Sequence, residues 1–91
     1  MNHTAILCHN ELNTRTMIQN TLESHGWTAD RWGNYNRMIN GKKYRCKMQD
    51  MSMRVEVKST ESNQWVNIRS DYYKNIAVTD NSLTVKGFRI I

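Results

Sequence analysis

The sequence predicts an α+β domain: one N-terminal helix packed on one face of a five- to six-stranded antiparallel meander sheet. Three observations carry this. A helical stripe of apolar residues is confined to the first third of the chain. An Asn40-Gly41 pair separates two alternating segments, and period-two alternation recurs towards the C-terminus. With 91 residues, 38% of them hydrophobic, the chain is expected to form a single domain over 1–91. It is too apolar for a disordered tail.

The helix is expected over 10–25, where Thr14, Ile18, Leu22 and His25 share a stripe with Met17 beside it. Asn10 is a suitable cap, Gly26 a left-handed stop, and Trp27 can fold back on the last turn. A protonated His25 suits the negative end of the helix dipole. Asn13, Thr16, Asn20 and Thr21 are poor helix formers, so packing must hold this helix.

Strands are expected over 34–90. Asn40-Gly41 specifies a two-residue type I′ turn, which places Ile39 opposite Lys42, Arg37 opposite Tyr44 and Tyr35 opposite Cys46. Tyr44, Cys46 and Met48 then point one way and Lys43, Arg45 and Lys47 the other. Met53, Val55 and Val57 must join the apolar set, which leaves Arg54, Glu56 and Lys58 on the wet face. After a turn at Glu61-Ser62-Asn63, the same parity makes Val66 and Ile68 core and puts Trp65, Asn67 and Arg69 with the cations. Asp71-Tyr72-Tyr73-Lys74 reads as a loop or turn. Two adjacent tyrosines cannot both point inward on a strand, so one is expected to be exposed; the alternative is a turn in which both rings lie flat on the core. Ile76-Ala77-Val78 and Leu83-Thr84-Val85 form a last hairpin around Thr79-Asp80-Asn81-Ser82. Gly87 suggests a bulge, with Phe88 and Ile90 as apolar residues beyond it.

The net charge of +5 is not evenly spread. Arg31, Arg37, Lys42, Lys43, Arg45, Lys47, Arg54 and Lys58 all fall within 31–60, against only Asp50 and Glu56. In the expected register Lys47 faces Arg54 and Arg45 faces Glu56. Like charges directly across a sheet are unfavourable, so stability alone does not explain this face. A concentrated basic surface attracts phosphates, and an exposed aromatic among cations offers a platform for a base. Lys43, Arg45, Lys47, Arg54, Lys58, Trp65 and Arg69 are therefore the candidate contacts for nucleic acid or another partner, with Tyr72, Tyr73 and Lys74 as a secondary cluster. The ordinary alternative is a solvated sheet face wearing its usual Lys and Arg.

Enzyme chemistry finds little support. Glu56 and Lys58 reproduce the Glu-x-Lys pattern of metal-dependent nucleases, but the second acidic ligand such sites need has only Asp50 as a candidate, in a connecting turn. No cofactor motif, glycine-rich loop or metal-ligand quartet is present. His3, Cys8 and His9 are too loosely spaced to count as a metal site. No apolar run reaches the length of a membrane span, and no signal peptide is expected. Two cysteines, Cys8 and Cys46, are too few for a disulfide framework, so a reduced, cytoplasmic protein is expected.

The expected function is a small non-enzymatic binding protein whose basic sheet face engages nucleic acid or a nucleic-acid-handling complex. The alternative is an inhibitor or adaptor of the phage or mobile-element type, anti-CRISPR-like, docking on an acidic host protein or a ribonucleoprotein. Dimerisation through an edge strand or the Phe88-Arg89-Ile90-Ile91 tail is a third expectation.

Overall fold

The computed structural model describes the backbone of residues 3–91 and the side chains of residues 14–91. The expectations resting on the side chains of His3, Cys8 and His9 therefore lie outside the described residues. Helix α1 spans His3–Ser24. It runs through Asn10, so that residue is not its N-cap. Its C-terminus is the expected one. Gly26 has a φ of +90°, the Trp27 N–H donates to the Leu22 carbonyl at 2.9 Å and the Gly26 N–H to that of Glu23 at 3.2 Å. This is a Schellman stop, and it drives Trp27 into the core.

The strands are β1 (Thr28–Ala29), β2 (Tyr35–Ile39), β3 (Lys42–Met48), β4 (Ser52–Lys58) and β5 (Trp65–Tyr72), then β6 (Ile76–Val78), β7 (Leu83–Val85) and β8 (Phe88–Arg89). They do not form one meander. β1 to β5 make a five-stranded antiparallel sheet in chain order, and β6 to β8 make a separate three-stranded sheet. The break falls at a 3-10 turn, Tyr73–Asn75, where Tyr73 turns inward. Its hydroxyl donates to the Gln49 carbonyl and accepts the Gln49 N–H at 3.0 Å. The chain cannot continue β5 past that anchor, so the last hairpins build their own sheet.

The β2–β3 register is the expected one, with Ile39 opposite Lys42 and Tyr35 opposite Cys46. Asn40 and Gly41 both have positive φ, 51° and 80°, as a type I′ turn demands. Lys86 and Gly87 repeat this geometry, with φ of 52° and 83° between Val85 and Phe88. Gly87 is therefore a hairpin turn residue, not a bulge. The tail folds back: the N–H groups of Ile90 and Ile91 donate to the Leu83 carbonyl at 2.8 and 3.3 Å.

One buried cluster joins the helix (Ile18, Leu22), the large sheet (Tyr35, Ile39, Cys46, Met53, Val55) and the small sheet (Ile76, Val78, Leu83, Val85). The nearest neighbours of α1 are β6, the 3-10 turn and β1. Polar ties close the same side. The Tyr35 hydroxyl donates to Glu23 at 2.9 Å, Nδ1 of His25 lies 2.7 Å from an Asp80 carboxylate oxygen, and Arg37 donates to the Asp80 carbonyl. The large sheet thus has one face closed over Tyr35, Cys46, Met53 and Val55 and one face left open; Val66, at the far end of the closed side opposite Val57, stays 50% exposed, so it is not the core residue its parity suggested. No helix among the described residues is long and apolar enough to cross a membrane.

Candidate nucleic-acid interface

The open face is built by alternate residues of β2 to β5. Register places Lys47 opposite Arg54 and Arg45 opposite Glu56 on β3 and β4, then Lys58 opposite Trp65, Glu56 opposite Asn67 and Arg54 opposite Ser70 on β4 and β5. Lys43, Arg45, Lys47, Arg54, Lys58 and Trp65 therefore share this face.

Glu56 organises its centre. This carboxylate is only 5% exposed. Its Oε1 accepts from Arg45 Nε at 2.8 Å and lies 2.7 Å from Arg45 Nη2, and its Oε2 is 3.7 Å from Arg54 Nη1. The two-point contact with Arg45 fixes the plane of that guanidinium. The Trp65 ring centroid lies 4.3 Å from the Arg45 guanidinium carbon, with the ammonium groups of Lys58 and Lys43 at 5.8 and 6.0 Å. An indole beside three cations is favoured by its negative ring face, and the half-buried ring holds them in one patch. One carboxylate thus offsets part of the charge of two arginines, while Lys43, Lys47 and Lys58 have no ion pair among the described residues. The Glu56 oxygens are turned towards arginines, and Asp50 is an exposed turn residue. That is a different use of Glu56 from the metal ligand its Glu-x-Lys spacing suggested.

Arg69 is not part of this face. The register shifts between Val55 and Glu56, so that Glu56 pairs with Asn67 but Val55 pairs with Arg69. Ile68 is the extra residue of a β-bulge. Beyond it the parity of β5 reverses, and Arg69 moves to the closed side with Asp71. There Asp71 Oδ2 lies 3.9 Å from both Arg69 Nη2 and Lys86 Nζ. The hydrogen bond from Asn75 holds the Asp71 carboxyl below the usual carboxylate range, against an opposing effect of burial, with help from the Tyr72 N–H and the charges of Lys86 and Arg69.

The two tyrosines divide between core and surface. Tyr73 is buried and belongs to the core, so it is no surface contact; burial pushes its hydroxyl pKa up. Tyr72 is 54% exposed, with Lys74 Nζ 5.9 Å from its ring centroid.

Asp30 shapes the loop at one end of the face. It accepts the N–H groups of Trp32 and Asn34 at 2.9 and 3.0 Å and the Asn36 amide at 3.0 Å. Burial opposes its charge, but these bonds and Arg45 hold its carboxyl below the usual range. The loop displays Trp32, 71% exposed and stacked 4.5 Å from Arg31. A shallow depression of about 450 Å³ lies at the sheet's edge, lined by Gly26, Thr28, Asn36, Arg37, Met38 and Lys43. Comparison with protein-family models, with curated proteins and with solved structures finds no match to this chain.

Proposed function

We propose that the protein is a small non-enzymatic, cytoplasmic binding protein that engages nucleic acid through the open face of β3, β4 and β5. The observation that carries this reading is the Trp65 ring held among Arg45, Lys43 and Lys58, with Lys47 and Arg54 beside them and one carboxylate in opposition. Lysines supply the charge that meets phosphates, and the indole supplies a surface for a base. Arg45, tied to Glu56, serves to position the ring. The buried free thiol of Cys46, its pKa raised by burial, suits a reducing compartment.

Fluorescence anisotropy with a labelled oligonucleotide, repeated across a salt series, tests this. Binding should weaken steeply as salt rises. Reversing Lys43 and Lys58 to Glu should flatten that dependence and cost about tenfold or more in affinity, whereas Lys86→Glu, on the other side of the molecule, should change little. Absence of binding at low salt overturns the proposal.

A second reading rests on the exposed Trp32 stacked with Arg31, the residue types that anchor protein interfaces. On that reading the protein is a phage-type inhibitor or adaptor for a host protein or ribonucleoprotein. A partner retained after nuclease treatment and released by Trp32→Ala supports it over the first; a partner lost with the nuclease opposes it.

A further inference from the structure

We infer that the bulge in β5 builds a two-aromatic track, from Trp65 to Tyr72, across the cationic face, and that this track takes an extended single-stranded nucleic acid. The inference rests on the nucleic-acid reading above and names its ligand class.

Trp65 and Tyr72 are an odd number of residues apart, so a regular strand would point them to opposite faces. The bulge cancels that difference. Trp65 lies opposite Lys58 and Tyr72 opposite Ser52, two positions on the same face of β4. At about 3.3 Å per residue the rings stand about 20 Å apart along the strand. Ser70, opposite Arg54, lies between them, and Lys47 lies beyond Arg54 on β3. Each ring has an ammonium close by, Lys58 at 5.8 Å from Trp65 and Lys74 at 5.9 Å from Tyr72. Each end of the track thus pairs a stacking surface with a charge for the adjoining phosphate.

A double helix cannot use this arrangement. Its bases already stack on one another, and its major groove admits a helix or a two-stranded ribbon, not a five-stranded face. A duplex would meet the cations through its phosphates and leave both rings idle. A single strand can lay unpaired bases on the rings while its backbone follows the cations between them.

The test uses labelled oligothymidylate and oligouridylate long enough to span both rings, and a duplex of the former with oligoadenylate, each measured by anisotropy. Both single strands should bind at least tenfold tighter than the duplex, and their relative affinity separates DNA from RNA preference. Tyr72→Ala and Trp65→Ala should each weaken single-strand binding about tenfold and leave duplex binding nearly unchanged. Tyr72→Phe and Trp65→Phe should retain most of the affinity. Tyr72 is exposed, so Tyr72→Ala remains informative should Trp65→Ala fail to fold. Single-strand binding unaffected by Tyr72→Ala overturns the track. Equal single-strand and duplex affinity, with both weakened by charge reversal at Lys43 and Lys58, overturns the ligand class and leaves the interface standing. No binding to any of the three probes overturns both.

Discussion

The two faces of β3 and β4 are made by the same strands one residue out of step, and they are held by different forces. On the closed face Cys46, Met53 and Val55 are buried among the helix and the second sheet. Many dispersion contacts share the load there, and no single atom decides the geometry. On the open face the order comes from one carboxylate and one ring. Glu56 is as inaccessible as a core residue, yet its partners are a pair of arginines, one of which, Arg45, lies against the Trp65 indole. A face organised by so few groups can present charge in a fixed arrangement and remain sensitive to each of them.

The closed face should show the largest effect. Met53→Ala removes a fully buried side chain and should destabilise the fold by about 2–5 kcal/mol, read from urea denaturation. Disruption of Glu56 comes next. Glu56→Gln keeps the shape but leaves Arg45 without its counter-charge, at a cost of about 2 kcal/mol, below that of a fully buried pair because both arginines are partly exposed. Its distinctive effect should be on the open face: loss of the Arg45 anchor should shift the Trp65 indole N–H resonance in the two-dimensional NMR spectrum of the otherwise intact chain, and leave that of the buried Trp27 in place. Equal stability of Glu56→Gln and the native chain would show that the face does not depend on this carboxylate.

The Asp71 cluster on the closed side should respond to acid. Its carboxyl pKa is depressed in the folded protein, so its stabilising contribution is complete above the ordinary carboxylate value, about 4, and is lost as pH falls through the folded value. Asp71→Asn should therefore flatten the acid limb of stability measured from neutral pH downwards. The smallest effect is expected at Lys86, which is exposed and only 3.9 Å from Asp71 Oδ2 at best. Lys86→Glu should change stability by no more than about 0.5 kcal/mol.

Much of this contrast was legible in the residues. Asn40-Gly41 dictates the β2–β3 turn, and the demand that Met53 and Val55 be buried carries the register on to β4. Together these place Lys43, Arg45, Lys47, Arg54 and Lys58 on one face. The helix stop was legible in His25-Gly26-Trp27. The bulge was not. Val66 and Ile68 alternate as a regular strand would, and nothing local shows that Ile68 is an extra residue. Tertiary packing decides it, so Arg69 changes sides and Tyr72 joins the face. The division into two sheets was hidden for a similar reason: it depends on where the Tyr73 hydroxyl finds partners, the backbone of Gln49, distant in sequence. Lys86-Gly87 carries the turn signal less plainly than Asn-Gly, because lysine seldom adopts positive φ.

On the proposed function, ligand meets the open face and not the closed one. Backbone and indole amide shifts, followed by two-dimensional NMR while oligothymidylate is added at low salt, test it most directly. The expected shifts fall on Lys43, Arg45, Lys47, Arg54, Lys58, Trp65 and Tyr72, with the Trp65 indole among the largest. Shifts centred instead on Arg69, Lys86 and the small sheet, or none at saturating oligonucleotide, would contradict it.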